Sequence, residues 1–129
     1  MDIGEPRSFF RFEDLKTEVV EGNVERIVYT GTSVQVIEYH FPPNKTFTAH
    51  KHDDNEQMGY VVSGRMGFLV GEEERVLGPG DFYHALIGVM HNAWTFDEPA
   101  VLVDMFAPPR RDILEFSNRW RKTRKRKKA

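Results

Sequence analysis

The sequence contains no cysteine among its 129 residues. Disulfide bonds and thiolate metal sites are therefore excluded, so any metal must be held by histidine, carboxylate, amide or water. No stretch approaches the roughly 18 consecutive apolar residues that a membrane span needs, and the first residues lack the basic and apolar runs of a signal peptide. We therefore expect a soluble, cytoplasmic protein that does not insert into membranes.

Basic residues are scarce outside the last part of the chain. Residues 119–128 hold eight of the 18 lysines and arginines and none of the 20 acidic residues, which leaves ten basic and twenty acidic residues elsewhere. Such a tail can bind nucleic acid or anionic lipid, but this one contains a single aromatic residue, Trp120. We expect residues 119–129 to be a solvated basic tail and do not expect nucleic acid as a partner.

Helical patterns are also scarce, and the sequence predicts an all-β protein. Short runs rich in Val, Ile, Phe, Tyr and Thr alternate with Gly, Pro and Asn, which is typical of a sandwich or barrel. A hairpin turn is predicted at Ser63 and Gly64, and a second turn at 78–81. Ten strands are predicted, at residues 17–20, 24–30, 33–41, 47–52, 57–63, 65–71, 74–78, 81–87, 91–96 and 100–106.

The chain length suits one domain, which we expect to span residues 1–118. Its strands should begin at about residue 8, and its barrel should cover residues 34–107. A short amphipathic helix is predicted over about 110–120. Its apolar stripe would consist of Ile113, Leu114, Phe116 and Trp120.

Two of only five histidines stand one residue apart, in the segment "HKHDDNEQMGYVVSG". Side chains alternate between the two faces of a strand, so His50 and His52 would point the same way and form a bidentate clamp. If the next strand pairs with this one, the amide oxygen of Gln57 can enter the same pocket. His91, which follows a second turn, could complete a set of three imidazoles and one amide. Imidazole suits transition metals, and such a set leaves positions open for water or substrate.

These residues resemble the two motifs of small single-domain cupins. The first motif is H-x-H, then three or four residues, a ligand that is usually Glu, six residues and Gly; the second is centred on Pro, Gly and Asp and ends in His. The chain departs from the usual pattern by offering Gln57 as the third ligand, since Glu56 is one residue too far from the motif glycine. The matching residues are His50, His52, Gln57 and Gly64, then Pro79, Gly80, Asp81 and His91.

The resemblance extends over roughly residues 34 to 116 and implies a jelly-roll barrel that holds one divalent transition metal: Zn, Ni, Mn, Fe or Co. A further pattern, D-x-F-x-x-x-R in "VLVDMFAPPRRDILEF", is similar to the small cupins of pectin and alginate breakdown that open the ring of 4,5-unsaturated monouronates. This resemblance implies that Asp104, Phe106 and Arg110 line the site. The implied reaction converts the unsaturated uronate into a linear keto-acid, an isomerisation.

The residue types suit that chemistry. The planar guanidinium of Arg110 can bind a substrate carboxylate through two hydrogen bonds. Asp104, inside a partly desolvated barrel, can act as general acid or base, and Phe106 would supply an apolar wall for the substrate.

Other interpretations remain open at this point. The barrel could be a non-catalytic module that binds a sugar acid or another small ligand, or a different cupin enzyme such as a dioxygenase. We rank the dioxygenase lower, because the common dioxygenase pattern has Glu where this chain has Gln57. Asp104, Phe106 and Arg110 could equally be structural: a cap, a core residue and the start of a basic surface.

The outer faces of two predicted strands are apolar, which suits a sheet covered on both sides. Small cupins often pair, so we expect a homodimer. The residues concerned are Met58, Tyr60, Val62, Val101, Val103 and Met105.

Overall fold

The computed structural model describes residues 7–116, and side chains are described as far as residue 113. Short 3-10 helices lie near the two ends, at Phe12–Asp14 and Arg111–Phe116. Nine strands lie between them: β1 (Glu18–Val20), β2 (Val24–Thr30), β3 (Gln35–Phe41), β4 (Glu56–Ser63), β5 (Met66–Val70), β6 (Glu73–Leu77), β7 (Phe82–Ala85), β8 (His91–Thr95) and β9 (Ala100–Ala107).

The strands form two antiparallel sheets, so the predicted all-β class is confirmed. One sheet has six strands in the order β1-β2-β3-β9-β4-β7, and the other has three in the order β6-β5-β8. Apolar side chains from both sheets meet in a shared core, which removes their surface from water. The members of this core are Val24, Phe41, Val61, Met66, Phe68, Tyr83, Ala100 and Leu102.

Strand alternation decides which side chains face the interior. In β4, Gln57 and Val61 are buried, whereas the intervening Met58 and the next residue, Val62, are 39% and 43% exposed. The same period of two turns Asp104 and Phe106 of β9 inward, where both are buried. The polar Gln57 and Asp104 therefore lie on the face that is otherwise apolar.

The N-terminal segment covers part of the outer face of the large sheet. Leu15 packs with Ile27 and Tyr29 of β2, and the Phe10 ring stacks on Tyr29 with 4.0 Å between ring centroids. The first strand begins at Glu18, so the prediction of strands from about residue 8 is wrong. Residues in that region pack as a 3-10 helix and irregular chain, because their aromatic side chains are used to cover a sheet.

Two further details differ from the sequence-based expectations. The strand predicted at 47–52 is wrong: the segment forms one isolated bridge to β8, at His50, and a second bridge lies just before it, at Thr46. The turn at Ser63 and Gly64 exists, and Gly64 has a φ of +78°, but it does not close a hairpin. It carries the chain from β4 in one sheet to β5 in the other.

The predicted C-terminal helix is described in part. Arg111–Phe116 forms a 3-10 helix, and Ile113 is buried against Val28, Ile37 and Phe106. The rest of the predicted helix, the end of the proposed domain 1–118 and the basic tail 119–129 lie outside the described residues. None of the described helices is long and apolar enough to span a membrane.

An apolar patch remains on the outer face where β4 meets β7. Phe82 is 62% exposed beside Tyr60, and their ring centroids are 5.0 Å apart. Val103, which was expected to belong to this face, is already buried within the single chain. β7 is also an edge strand of its sheet. The homodimer stays a prediction, and this patch is where we expect the contact.

Candidate metal centre and cavity

Three imidazoles from two segments come together at one end of the barrel. His50 and His52 lie on the segment before β4, and His91 is the first residue of β8. Two backbone hydrogen bonds join His50 to His91, with N to O distances of 2.9 and 2.8 Å. One potential ligand atom from each of the three histidines lies within 4.8 Å of the other two. This group could hold a metal ion.

Hydrogen bonds to backbone carbonyls set the tautomers of two of these rings. Nδ1 of His50 donates to the carbonyl of Thr48 at 2.9 Å, and Nδ1 of His91 donates to the carbonyl of Val89 at 3.0 Å. With the proton on Nδ1, each ring keeps a lone pair on Nε2. This arrangement is the one by which proteins orient metal-binding histidines.

Three buried atoms at this end of the barrel have no hydrogen-bond partner among the described residues. They are Nε2 of His52, Nε2 of His91 and the side-chain oxygen Oε1 of Gln57. Leaving one such group unsatisfied costs about 1–3 kcal/mol. All three atoms can donate an electron pair to a cation, and the two imidazole nitrogens belong to the group of histidines that could share one. The residues present therefore fit a transition metal with nitrogen and amide-oxygen ligands.

Burial favours the neutral form of two of the imidazoles, those of His52 and His91. The pKa of His52 is lowered to about 4, mainly by burial and further by the charge of Arg110 and the neighbouring His50 and His91. Burial also lowers the pKa of His91, although its hydrogen bond to the Val89 carbonyl opposes the shift. A neutral imidazole is the form that binds metal.

Gln57 reaches this end of the barrel in a way that the sequence did not predict. Its strand, β4, pairs with β7 and β9 and not with the segment that carries His50 and His52. Its amide nitrogen donates to the hydroxyl of Tyr83 at 2.6 Å and lies 3.3 Å from Oδ2 of Asp104. Glu56, the alternative ligand, points to the outer face and pairs with His84 at 2.5 Å.

Asp104 is buried at the centre of this hydrogen-bond network. Burial raises its pKa to about 7, against the opposing effects of the Tyr83 hydroxyl, the charge of Arg110 and the Gln57 amide. A carboxyl with such a pKa exchanges a proton readily near neutral pH. The residue sits where a general acid or base could work.

Phe106 and Arg110 lie next to the imidazoles. The Phe106 ring meets His52 edge to face at 5.6 Å, and the Arg110 guanidinium lies 5.1 Å from the Phe106 centroid. Arg110 donates from Nε and Nη2 to the carboxylate of Asp112, at 3.1 and 2.6 Å. Among the described residues no partner is found for Nη1, so the end of the guanidinium formed by Nη1 and Nη2 remains available for a second carboxylate.

A cavity of about 520 Å³ opens onto these groups. Its volume falls in the range of small-molecule sites. The wall combines apolar residues such as Phe41, Phe68 and Leu102 with the polar groups described above. Of the residues predicted for the site, those that line the cavity are His50, Gln57, His91, Asp104, Phe106 and Arg110.

Tyr83 is the residue that the sequence analysis missed. It is buried, forms hydrogen bonds with both Gln57 and Asp104, and lines the cavity. The sequence did contain one indication of its location. Tyr83 lies two residues after Asp81 and two before Ala85, so strand alternation places the side chains of Tyr83 and Ala85 on the same inward face. His84, the next residue of β7, lies on the outer face with Glu56.

Comparisons with known proteins agree with this architecture. The family model described as "Cupin domain" matches residues 37–106. The pectin degradation protein KdgF of Dickeya dadantii (strain 3937) is 32% identical over 108 residues, which cover 84% of this chain and 98% of that protein. The chain therefore belongs to the cupin family, and the predicted cupin jelly-roll barrel is confirmed.

Two solved structures are also similar to this chain over most of its length. The structure of KdgF from a Halomonas species superposes with a TM-score of 0.78 and 29% identity, covering 83% of this chain and 98% of that one. An RmlC-like cupin from Shewanella frigidimarina NCIMB 400 gives a TM-score of 0.76 with 25% identity, covering 83% and 96%. The resemblance to the pectin degradation proteins, first seen in the motifs, is thus confirmed over most of the chain.

Proposed function

We propose that this cupin is a metal-dependent isomerase that opens the ring of a 4,5-unsaturated monouronate and yields a linear keto-acid. The observation that carries the proposal is the grouping of three imidazoles, two of which line a cavity together with Gln57, Asp104 and Arg110. The likeness to two KdgF proteins, one of them named for pectin degradation, supports the choice of substrate.

His50, His52, His91 and Gln57 are the residues that would hold the metal. A divalent transition metal in this position would act as a Lewis acid and lower the free energy of negative charge on a substrate oxygen. Arg110 would bind the substrate carboxylate through Nη1 and Nη2, while Asp112 holds the other edge of the guanidinium. Because both acids bind one planar group, the substrate carboxylate is fixed in the plane of the guanidinium, beside the Phe106 ring.

Asp104 would move the one proton that the reaction requires. The ionised carboxylate takes the proton from the anomeric hydroxyl as the bond between the anomeric carbon and the ring oxygen breaks, giving an aldehyde and an enol oxygen anion. The same proton is then delivered to carbon 4, one of the two carbons of the original double bond. The enol oxygen anion thereby becomes the oxygen of a ketone. One proton leaves oxygen and one arrives at carbon, so no water, electron or second substrate is consumed.

The test follows the ultraviolet absorbance of an unsaturated monouronate, which is lost with the carbon–carbon double bond. Metal-loaded protein should accelerate the decay over the spontaneous rate, and both metal-stripped protein and Asp104→Asn should approach that rate. The exposed variant Asp97→Asn serves as the matched control and should act like the wild type. No acceleration by metal-loaded protein would refute the proposal. Thermal stabilisation by a uronate recovered unchanged would instead favour a binding module.

A further inference from the structure

Tyr83 joins two residues of the proposed centre, Gln57 and Asp104. Its hydroxyl accepts a hydrogen bond from Nε2 of Gln57 at 2.6 Å and donates one to Oδ1 of Asp104. Its ring stacks on Phe68, with centroids 4.6 Å apart and an interplanar angle of 23°. The ring is therefore held by packing, and the hydroxyl is held between two polar side chains.

Tyr83 and Asp104 can meet because β4, the strand that lies between theirs, has a glycine at the position paired with both of them. Gly59 of β4 pairs with Tyr83 of β7 on one side and with Asp104 of β9 on the other. A Cβ at Gly59 would collide with Oδ1 of Asp104 and crowd the Tyr83 ring. The glycine thus opens the space in which the hydroxyl of Tyr83 crosses β4 to reach the carboxylate.

The direction of these hydrogen bonds determines which way the Gln57 amide points. A tyrosine hydroxyl has one hydrogen, and an ionised carboxylate can only accept, so that hydrogen is committed to Asp104. Toward Gln57 the hydroxyl can then only accept, which requires the NH2 end of the amide. The other end, Oε1, must face away from Tyr83, and it is the buried oxygen that has no partner among the described residues.

We propose that Tyr83 is a positioning residue of the metal centre, which turns the oxygen of Gln57 toward the imidazoles and holds the carboxylate of Asp104 in place. The proposal deepens the proposed function and rests on it for the role of Asp104. The effect on Gln57, by contrast, can be tested through metal binding alone. Without the hydroxyl, the amide nitrogen keeps only its longer hydrogen bond to Oδ2 of Asp104, at 3.3 Å, so the amide is held less firmly and its nitrogen can turn toward the imidazoles.

The experiment compares Tyr83→Phe with the control Tyr60→Phe, which removes a hydroxyl from the outward-facing tyrosine of β4. Zinc affinity is measured on metal-stripped protein at pH 8, and kcat and KM are measured with the unsaturated uronate. Loss of a side chain that orients a metal ligand typically costs about 10–100-fold in affinity or activity. We expect Tyr83→Phe to lose about tenfold in zinc affinity and at least tenfold in kcat with KM within about twofold.

Equal zinc affinity and kcat in Tyr83→Phe and Tyr60→Phe would overturn the proposal, as would a wild type that binds no zinc. If the wild type binds zinc but does not convert the uronate, the reaction fails while the zinc measurement still decides the role of Tyr83. Should Tyr83→Phe not fold by circular dichroism, Phe68→Leu replaces it, because it keeps the hydroxyl but removes the ring on which Tyr83 stacks. The same loss of zinc affinity is then expected, and wild-type affinity would count against the proposal.

Discussion

Replacing Asp104 by Asn should change how the stability of the metal-free protein depends on pH. The folded-state pKa of Asp104 is raised by burial to about 7, from an ordinary value of 3.8. Between these values the folded state binds more protons than the unfolded state, so the carboxyl makes the wild type less stable as the pH rises from about 4 to 7. The side chain of Asn does not titrate in this pH range, so the stability of the variant does not fall for this reason.

The size of this stability difference follows from the width of the pH range over which the folded state holds the extra proton. One pKa unit corresponds to about 1.36 kcal/mol, and about two units of the window lie between pH 5 and the upper value near 7. The difference in unfolding free energy between variant and wild type should therefore shift by about 2–3 kcal/mol in favour of Asn between pH 5 and pH 8.5. At pH 5 we expect the variant to be less stable by about 1 kcal/mol, because its amide NH2 meets that of Gln57.

The assay is urea unfolding of chelator-treated protein at the two pH values, followed by tryptophan fluorescence. His52 titrates in both proteins, so its contribution cancels in the difference. The exposed variant Asp97→Asn is the matched control and should show no shift with pH. A difference between Asp104→Asn and wild type that is the same at pH 5 and pH 8.5 would refute the reasoning, since it would mean that the buried carboxyl stays ionised throughout.

Three further predictions concern substrate, metal and assembly. Arg110→Lys should raise KM for the uronate about tenfold or more with a smaller change in kcat, because an ammonium cannot form the paired hydrogen bonds; an unchanged KM in steady-state kinetics would contradict this. Zinc affinity, measured by calorimetry, should fall as the pH approaches 4, where His52 takes up a proton, and affinity flat to pH 4 would exclude His52 as a ligand. Phe82→Ser should weaken the predicted homodimer in sedimentation experiments, because it removes the most exposed apolar side chain of the patch between β4 and β7; a wild type that sediments as a monomer at all concentrations would contradict the dimer.

Much of the fold could be predicted because strand alternation is a local property. The inward set of β4 and β9, including Gln57, Asp104 and Phe106, follows from a period of two once the strands are placed. The choice of strand partners is not local. The segment 47–52 has the composition of a strand but forms only an isolated bridge to β8, at His50, and the chain at Gly64 leaves one sheet for the other.

The candidate site was predicted from spacing, and the structure brings the three predicted histidines together. Tyr83 escaped notice because a buried aromatic residue in an alternating strand looks the same in sequence whether its hydroxyl is used or not. Its role depends on Gly59 lying between it and Asp104 on the neighbouring strand. This arrangement depends on the register in which three strands pair, and a single sequence does not determine that register.

The measurement that tests the central claim most directly is the metal content of the purified protein and of a variant with His50 and His52 both replaced by Ala. We predict about one divalent transition-metal ion per chain in the wild type and almost none in the variant, with both proteins folded by circular dichroism. A folded wild type that carries no metal and takes up none from zinc, nickel or manganese solutions would contradict the account.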